Sequence, residues 1–125
     1  MPTPTYQNKD GRAIDLPLTA TVTAGEAVYV LGWLGVAMTA GVSGGTIAVE
    51  IKPEERRFAI PNALNPAVGS IIYVDLDQVV GHSIPAAALS TSSSGNKRKL
   101  CKTTKAREGV ADAWYVSGIL LMEEV

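Results

Sequence analysis

The chain has little of what covalent, metal-centred or strongly charged proteins depend on. Cys101 is its only cysteine, which excludes a disulfide within one chain and any cysteine-based metal cluster. His82 is the only histidine and Phe58 the only phenylalanine, and aromatic residues make up 6% of the chain. Eleven basic and twelve acidic side chains leave a formal charge of −1, so no overall field draws the protein to nucleic acid or to an anionic membrane. Any such attraction has to be local. No apolar run approaches the roughly 18 to 20 residues of a membrane span. The opening Met1-Pro2-Thr3-Pro4-Thr5 lacks the basic patch and apolar stretch of a secretory signal, so synthesis in the cytoplasm is expected.

What is present is enough for one packed domain. The chain has 125 residues, of which 46% are hydrophobic and 18% charged, a globular balance at a length suited to a single core. Residues 1–12 read as an extended arm, because the Pro/Thr spacing removes backbone donors and restrains the residues before each proline. A frayed terminus is the plain alternative. Residues 13–125 read as one β-rich domain. Glu26–Leu31, Gly35–Met38, Thr46–Ile51, Arg57–Ile60, Gly69–Asp75, Leu100–Thr104 and Trp114–Met122 have the β-branched, aromatic or alternating character of short strands. Gly41–Gly45 supplies a hairpin turn, and Pro53–Arg57 a polar turn. Ala13–Val22 reads as short apolar stretches broken by Asp15 and Pro17. Ser83–Leu89 predicts one helical turn with Ser83 as its cap and Pro85 near its start. Gly118 interrupts the last strand and predicts a bulge or sharp bend there. The fold expected is a small all-β barrel or sandwich with at most one short helical turn. Ala24–Val30 and Val68–Val74 echo each other as a glycine turn feeding a Tyr-centred strand, which is too little for a repeat protein.

Few residues invite a chemical reading. Gly81-His82-Ser83 places a base beside a hydroxyl, half of a hydrolase triad. No G-x-S-x-G elbow accompanies it, and a solvated loop histidine is the expectation. Asp75 and Asp77 share a face in an extended segment, a weak calcium clamp that lacks further oxygen ligands and reads more simply as a turn. Cys101 reads as a small buried apolar residue. Lys97, Arg98, Lys99, Lys102, Lys105 and Arg107 form the one charge asymmetry. Simple alternation puts Lys97, Lys99 and Cys101 on one side and Arg98, Leu100 and Lys102 on the other, which is no clean stripe. Three readings stand for this segment: a solvated loop, a surface for an acidic protein partner, or a phosphate-binding patch with no aromatic inside it to stack on bases. Trp33 and Leu34, flanked by Gly32 and Gly35, read as an exposed turn that contacts a neighbour.

Thr21-Val-Thr-Ala-Gly-Glu-Ala-Val-Tyr-Val-Leu-Gly-Trp-Leu-Gly-Val-Ala37 resembles the opening of the decoration, or capsid cement, proteins of tailed-bacteriophage heads. Gly45–Ile51 with Phe58–Pro61 resembles that family's second hairpin, and Val68–Asp75 its third segment. Order and spacing hold over roughly residues 20 to 80, and beyond Val80 the sequence departs from the pattern. The resemblance implies a non-enzymatic homotrimer on the outer surface of the virion head, bound to the major capsid protein and locking neighbouring capsid subunits together. It implies no cofactor, no small-molecule substrate and no membrane partner. Pro2, Thr3, Pro4, Thr5 and Tyr6 become candidates for pairing with an exposed capsid strand, and Trp33 and Leu34 for capsid or subunit contact. Lys97, Arg98, Lys99 and Lys102 are the candidate basic surface. Some members of the family carry a RecA/RadA-like recombinase label. A phosphate-binding loop needs G-x-x-x-x-G-K-[ST], however, and Gly41–Thr46 has no lysine and sits between strands. A nucleic-acid-binding module built on residues 97–107, and a generic β-domain of a phage tail or carbohydrate-binding part, are the alternatives.

Overall fold

A computed structural model describes residues 13–51 and 55–121. The expected arm, with Pro2, Thr3, Pro4, Thr5 and Tyr6, lies outside the described residues. The described chain is all-β. Its strands are β1 Ala13–Pro17, β2 Ala27–Val30, β3 Trp33–Ala37, β4 Thr46–Glu50, β5 Glu55–Ala59, β6 Ile71–Asp75, β7 Leu89–Ser90, β8 Lys97–Thr103 and β9 Tyr115–Leu120. Single 3-10 turns occur at Leu76–Gln78 and Ala86–Ala88. The second is the expected helical turn with Pro85 at its start, although the cap position is held by Pro85 itself and not by Ser83. β1 forms where only broken apolar stretches were read. It is an edge strand, where Asp15 and Pro17 are tolerated because one side of the backbone has no ladder to complete. β5 starts two residues before the expected Arg57, so the polar segment there is partly strand.

Two antiparallel sheets result, ordered β1-β4-β3-β2 and β5-β9-β8-β6-β7. Neither closes into a barrel, which leaves the two-sheet alternative of the expected fold. Strand alternation gives each sheet two different faces. In the four-stranded sheet one face carries Leu16, Val28, Val30, Ala37, Ile47 and Val49, buried together with Leu18, Val22 and Ile51. The opposite face carries Ala27, Leu34 and Val36, which join the core of the five-stranded sheet with Phe58, Ile72, Val74, Leu100 and Val116. Val36 therefore sits where the two sheets meet.

Glu50 lies on that same meeting face, 1% exposed, and its carboxylate is bonded and paired to the guanidinium of Arg56 from β5. Parity explains the encounter. Arg56 and Phe58 point inward from β5, while Glu55, Arg57 and Ala59 are exposed. Gly35 permits the approach behind it: a Cβ there would stand 2.4 Å from the Glu50 carbonyl oxygen. Gly118 also has a packing role rather than the expected bulge. The β9 ladder runs through it in register, and a Cβ would meet Cys101 Sγ at 2.8 Å.

The echo between Ala24–Val30 and Val68–Val74 extends to hydrogen bonds. Glu26 N donates to Thr23 O and Ser70 N to Ala67 O, closing two turns whose third residues, Gly25 and Gly69, both have φ of 87°. Gly25 N then donates to Ala37 O and Gly69 N to Thr103 O, at the ends of the partner strands. The same glycine turn thus leads into β2 in one sheet and β6 in the other.

Breaking a buried ion pair by removing one partner strands the other charge, at a cost of roughly 3 to 5 kcal/mol. Arg56 keeps partial access to water, with 37% of its side chain exposed. Glu50→Ala is therefore expected to lower unfolding stability by about 3 kcal/mol, read from the denaturant midpoint at constant m.

Candidate functional site

The chemistry-bearing residues of the sequence are, one after another, engaged in holding the fold. His82 is buried, which corrects the expectation of a solvated loop histidine. Its Nε2 accepts the backbone N–H of Thr19 at 2.9 Å and lies 3.2 Å from Thr19 Oγ1. An acceptor Nε2 leaves the proton on Nδ1, which stands 3.3 Å from the Tyr29 carbonyl. The ring ties the loop after β1 to the open edge of β2. Tyr29 N bonds the His82 carbonyl in the same place. The Ser83 hydroxyl beside it donates to the Glu26 carboxylate at 3.1 Å. Asp75 caps the first 3-10 turn. Its carboxyl lies below the ordinary value because Gln78 Nε2 and the Asp77 N–H donate to it, with Lys97 adding charge attraction. Asp77 accepts from Asn96. Both carboxylates of the suggested calcium clamp are thereby occupied in turns. Cys101 is fully buried and its thiol is pushed up to about 12 by desolvation, a small apolar residue as expected.

The basic segment divides by residue type. All four described arginines face protein groups. Arg56 meets Glu50, and Arg57 lies 5.0 Å from the Tyr115 ring centroid. Arg98 donates to the Gly32 carbonyl at 3.0 Å and sits 6.0 Å from the Tyr29 ring. Arg107 donates to the carbonyls of Asn62 and Leu64 and stacks 3.9 Å from the centre of Trp114. Among the lysines, Lys97 donates to the Ser92 carbonyl at 3.4 Å. A β-bulge shifts the register between Ile72 and Tyr73, so that Ile72 faces Cys101 while Tyr73 faces Lys99. Leu100 is the extra residue, and it and Cys101 both turn inward. Simple alternation fails at that point. Lys97, Lys99 and Lys102 consequently share the outer face of the five-stranded sheet, which overturns the reading of a split stripe. Tyr73 and Ile71 lie opposite Lys99 and Lys102 on that face, a ring that the sequence around the lysines does not contain.

Trp33 begins β3 rather than sitting in the turn, and it is 41% exposed. Leu34 turns inward and packs against the larger core, so of the two expected contact residues only Trp33 presents itself. The turn itself is Leu31-Gly32, with φ of 50° and 87°. Two positive values are the signature of the type I′ hairpin turn, where Asn, Asp and Gly are preferred. Leu31 occupies the first position at a cost of roughly 1 kcal/mol for an L-residue with a bulky side chain, and its side chain is 70% exposed. Sequence reading missed Leu31. The signal was there as a non-glycine residue in a two-residue loop between strands, but it needed the register Val30↔Trp33 to be known. The tip is held firmly by Arg98 from the other sheet.

Two clefts lie beside β5. The larger, about 400 Å³, is lined by Gly25, Glu55, Arg56, Arg57, Lys105 and Ser117 among others, and its two arginines are the engaged ones described above. The smaller, about 200 Å³, is walled by Ala27, Phe58, Ala59, Ile84 and Leu89, with Glu26 and Arg57 at its rim. Among the described residues no group of three or more His, Cys, Asp or Glu side chains is placed to hold a metal ion. Comparison with known proteins finds no matching family model, no matching curated protein and no matching solved structure.

Two outcomes follow from these placements. Replacing His82 by Ala removes the acceptor of the part-buried Thr19 N–H and the ring's contact with the Tyr29 carbonyl, and should cost about 1 kcal/mol, measured by chemical denaturation. The Cys101 thiol holds its proton more tightly folded than unfolded, so its contribution is intact below the ordinary thiol value of 9.0 and is lost as pH rises from there towards 12. The denaturant midpoint of the native protein should therefore fall more steeply above pH 9 than that of Cys101→Ala.

Proposed function

We propose that this protein is a capsid decoration protein, a structural module that binds the outer surface of a phage head and stabilises it by bridging neighbouring capsid subunits. The observation that carries this reading is the division of labour just described. The side chains able to react are tied into the fold, whereas a hairpin tip is built at a local energetic cost to expose Leu31 and Trp33. A residue that breaks a local rule without benefit to the fold points to a contact outside it. The tip also lies within the Thr21–Ala37 run that resembles the decoration family. A protein that grips a lattice at several points adds weak contacts into long residence through effective concentration, and a trimer would match local three-fold positions of that lattice.

The outer lysine face favours a second reading, a nucleic-acid-binding module. Lys97, Lys99 and Lys102 lie on one surface with Tyr73 between strands, the combination of backbone neutralisation and stacking that single-stranded nucleic acid uses.

Co-sedimentation with heads of the phage that carries the gene, before and after heating, separates the two. Decoration predicts saturable binding and heads that survive to a higher temperature, with Trp33→Ser weakening both. No binding to heads under any salt condition would sink it. The second reading predicts retention on single-stranded DNA, with log K falling against log salt at a slope of about −2 for three phosphate contacts, and loss of retention in Lys99→Glu/Lys102→Glu.

A further inference from the structure

Ser117 stands in the middle of β9 with only 4% of its surface exposed, and among the described residues its hydroxyl has no hydrogen-bond partner. A buried polar group left unpaired in a native fold is completed by solvent or by a ligand. Ser117 lines the larger cleft, and strand pairing sets Arg57 directly opposite it on the same face of the sheet. Lys105 lines the cleft as well. It is brought there because Thr104 donates its backbone N–H to the Ser117 carbonyl at 3.0 Å. We propose that this cleft binds a phosphate monoester, held by the Ser117 hydroxyl, the Arg57 guanidinium and the Lys105 ammonium.

Each of the three groups has donors left for such a ligand. Arg57 sits over the Tyr115 ring, a contact that fixes the guanidinium while leaving its five N–H donors unspent. Neither those N–H groups nor the Lys105 ammonium has a hydrogen-bond or ion-pair partner among the described residues. Arg56 also lines the cleft, but Glu50 balances its charge. The carboxylate in the lining, Glu55, accepts from the Thr104 hydroxyl at 2.5 Å, and set against it Arg57 and Lys105 leave a net charge of +1. A concave site concentrates that field on an arriving anion. Donors that arrive from β5, from β9 and from the stretch after β8 suit the three acceptor oxygens of a tetrahedral monoester, which carries about −1.5 to −2 charges at neutral pH, better than the two of a planar carboxylate. The cleft, at about 400 Å³, is larger than one phosphate group and leaves room beside Gly25 and Val36 for the molecule that carries it. The site uses none of Lys97, Lys99 and Lys102 and needs no phage head, so it stands or falls apart from both readings above.

The experiment is titration of the full chain with inorganic phosphate, followed through its amide resonances, with ionic strength held constant by sodium chloride. Saturable shifts are expected at residues 55–57, 104–105 and 117, with a Kd on the order of 1 mM, and the melting temperature should rise with phosphate beyond anything chloride produces. Arg57→Gln and Lys105→Gln should each weaken binding about tenfold and Ser117→Ala about threefold, whereas Glu55→Gln, which keeps an acceptor for Thr104, should tighten it about threefold. Arg57 and Lys105 are exposed and the Ser117 hydroxyl bonds nothing in the described fold, so these variants should melt near the native temperature when phosphate is absent. That separates lost binding from lost fold. Phenyl phosphate should match inorganic phosphate, while dimethyl phosphate and acetate should bind about tenfold more weakly or worse. Equal binding of the diester would assign the anion to a nucleic-acid or lipid backbone, equal binding of acetate to a protein carboxylate, and either would overturn the proposal. So would shifts that grow without saturating, shifts centred on Lys97, Lys99 and Lys102, or an affinity indifferent to Ser117→Ala and Glu55→Gln.

Discussion

Glu50 is almost fully removed from water, and a carboxylate in that position keeps its charge only if an opposite charge reaches it. Arg56 does so from the other sheet, and this crossing sets much else. It requires β5 to turn Arg56 and Phe58 inward, which sends Arg57 outward onto Tyr115. It requires β3 and β4 to approach closely at Gly35. Arg98 makes a second polar link between the sheets, to the Gly32 carbonyl. Apolar contact at Val36 would hold the layers together without fixing how they lie, because hydrophobic burial is non-directional. The two arginines supply direction.

The bulge in β8 has the largest consequence for the surface. One extra residue lets Leu100 and Cys101 both enter the core, and the strand's lysines then fall on one face while Arg98 turns inward. Core packing and surface charge are therefore set by the same irregularity. Arginine and lysine are not equivalent in this arrangement. The planar guanidinium stacks on rings and forks between carbonyls, whereas an ammonium is a compact point charge, which Lys97 brings to the Ser92 carbonyl. The segment that looked uniformly basic is half scaffold and half surface.

Function follows from where polar groups are spent. A histidine serving as acceptor to a backbone N–H, a serine donating to a glutamate and aspartates capping turns have their hydrogen-bonding capacity committed. What stands at the surface is an apolar tip at Leu31 and Trp33 and a sheet face bearing Lys97, Lys99 and Lys102.

The strand content, most strand positions, the helical turn near Pro85 and the burial of Cys101 were legible in the sequence. They depend on local propensity, on period-two patterning and on turn residues within a few positions of each other. The paired glycine turns at Gly25 and Gly69 were legible for the same reason. Other features were not, because they depend on residues far apart in the chain. β1 is a strand because β4 offers it a partner thirty residues away. The lysine face depends on a register shift against β6, the burial of His82 on Thr19 and Tyr29, and the exposure of Leu31 on which pairs flank the turn. Local sequence determined which segments could be strands, and tertiary pairing alone decided which side of each strand meets water, since one residue of shift reverses every side chain after it.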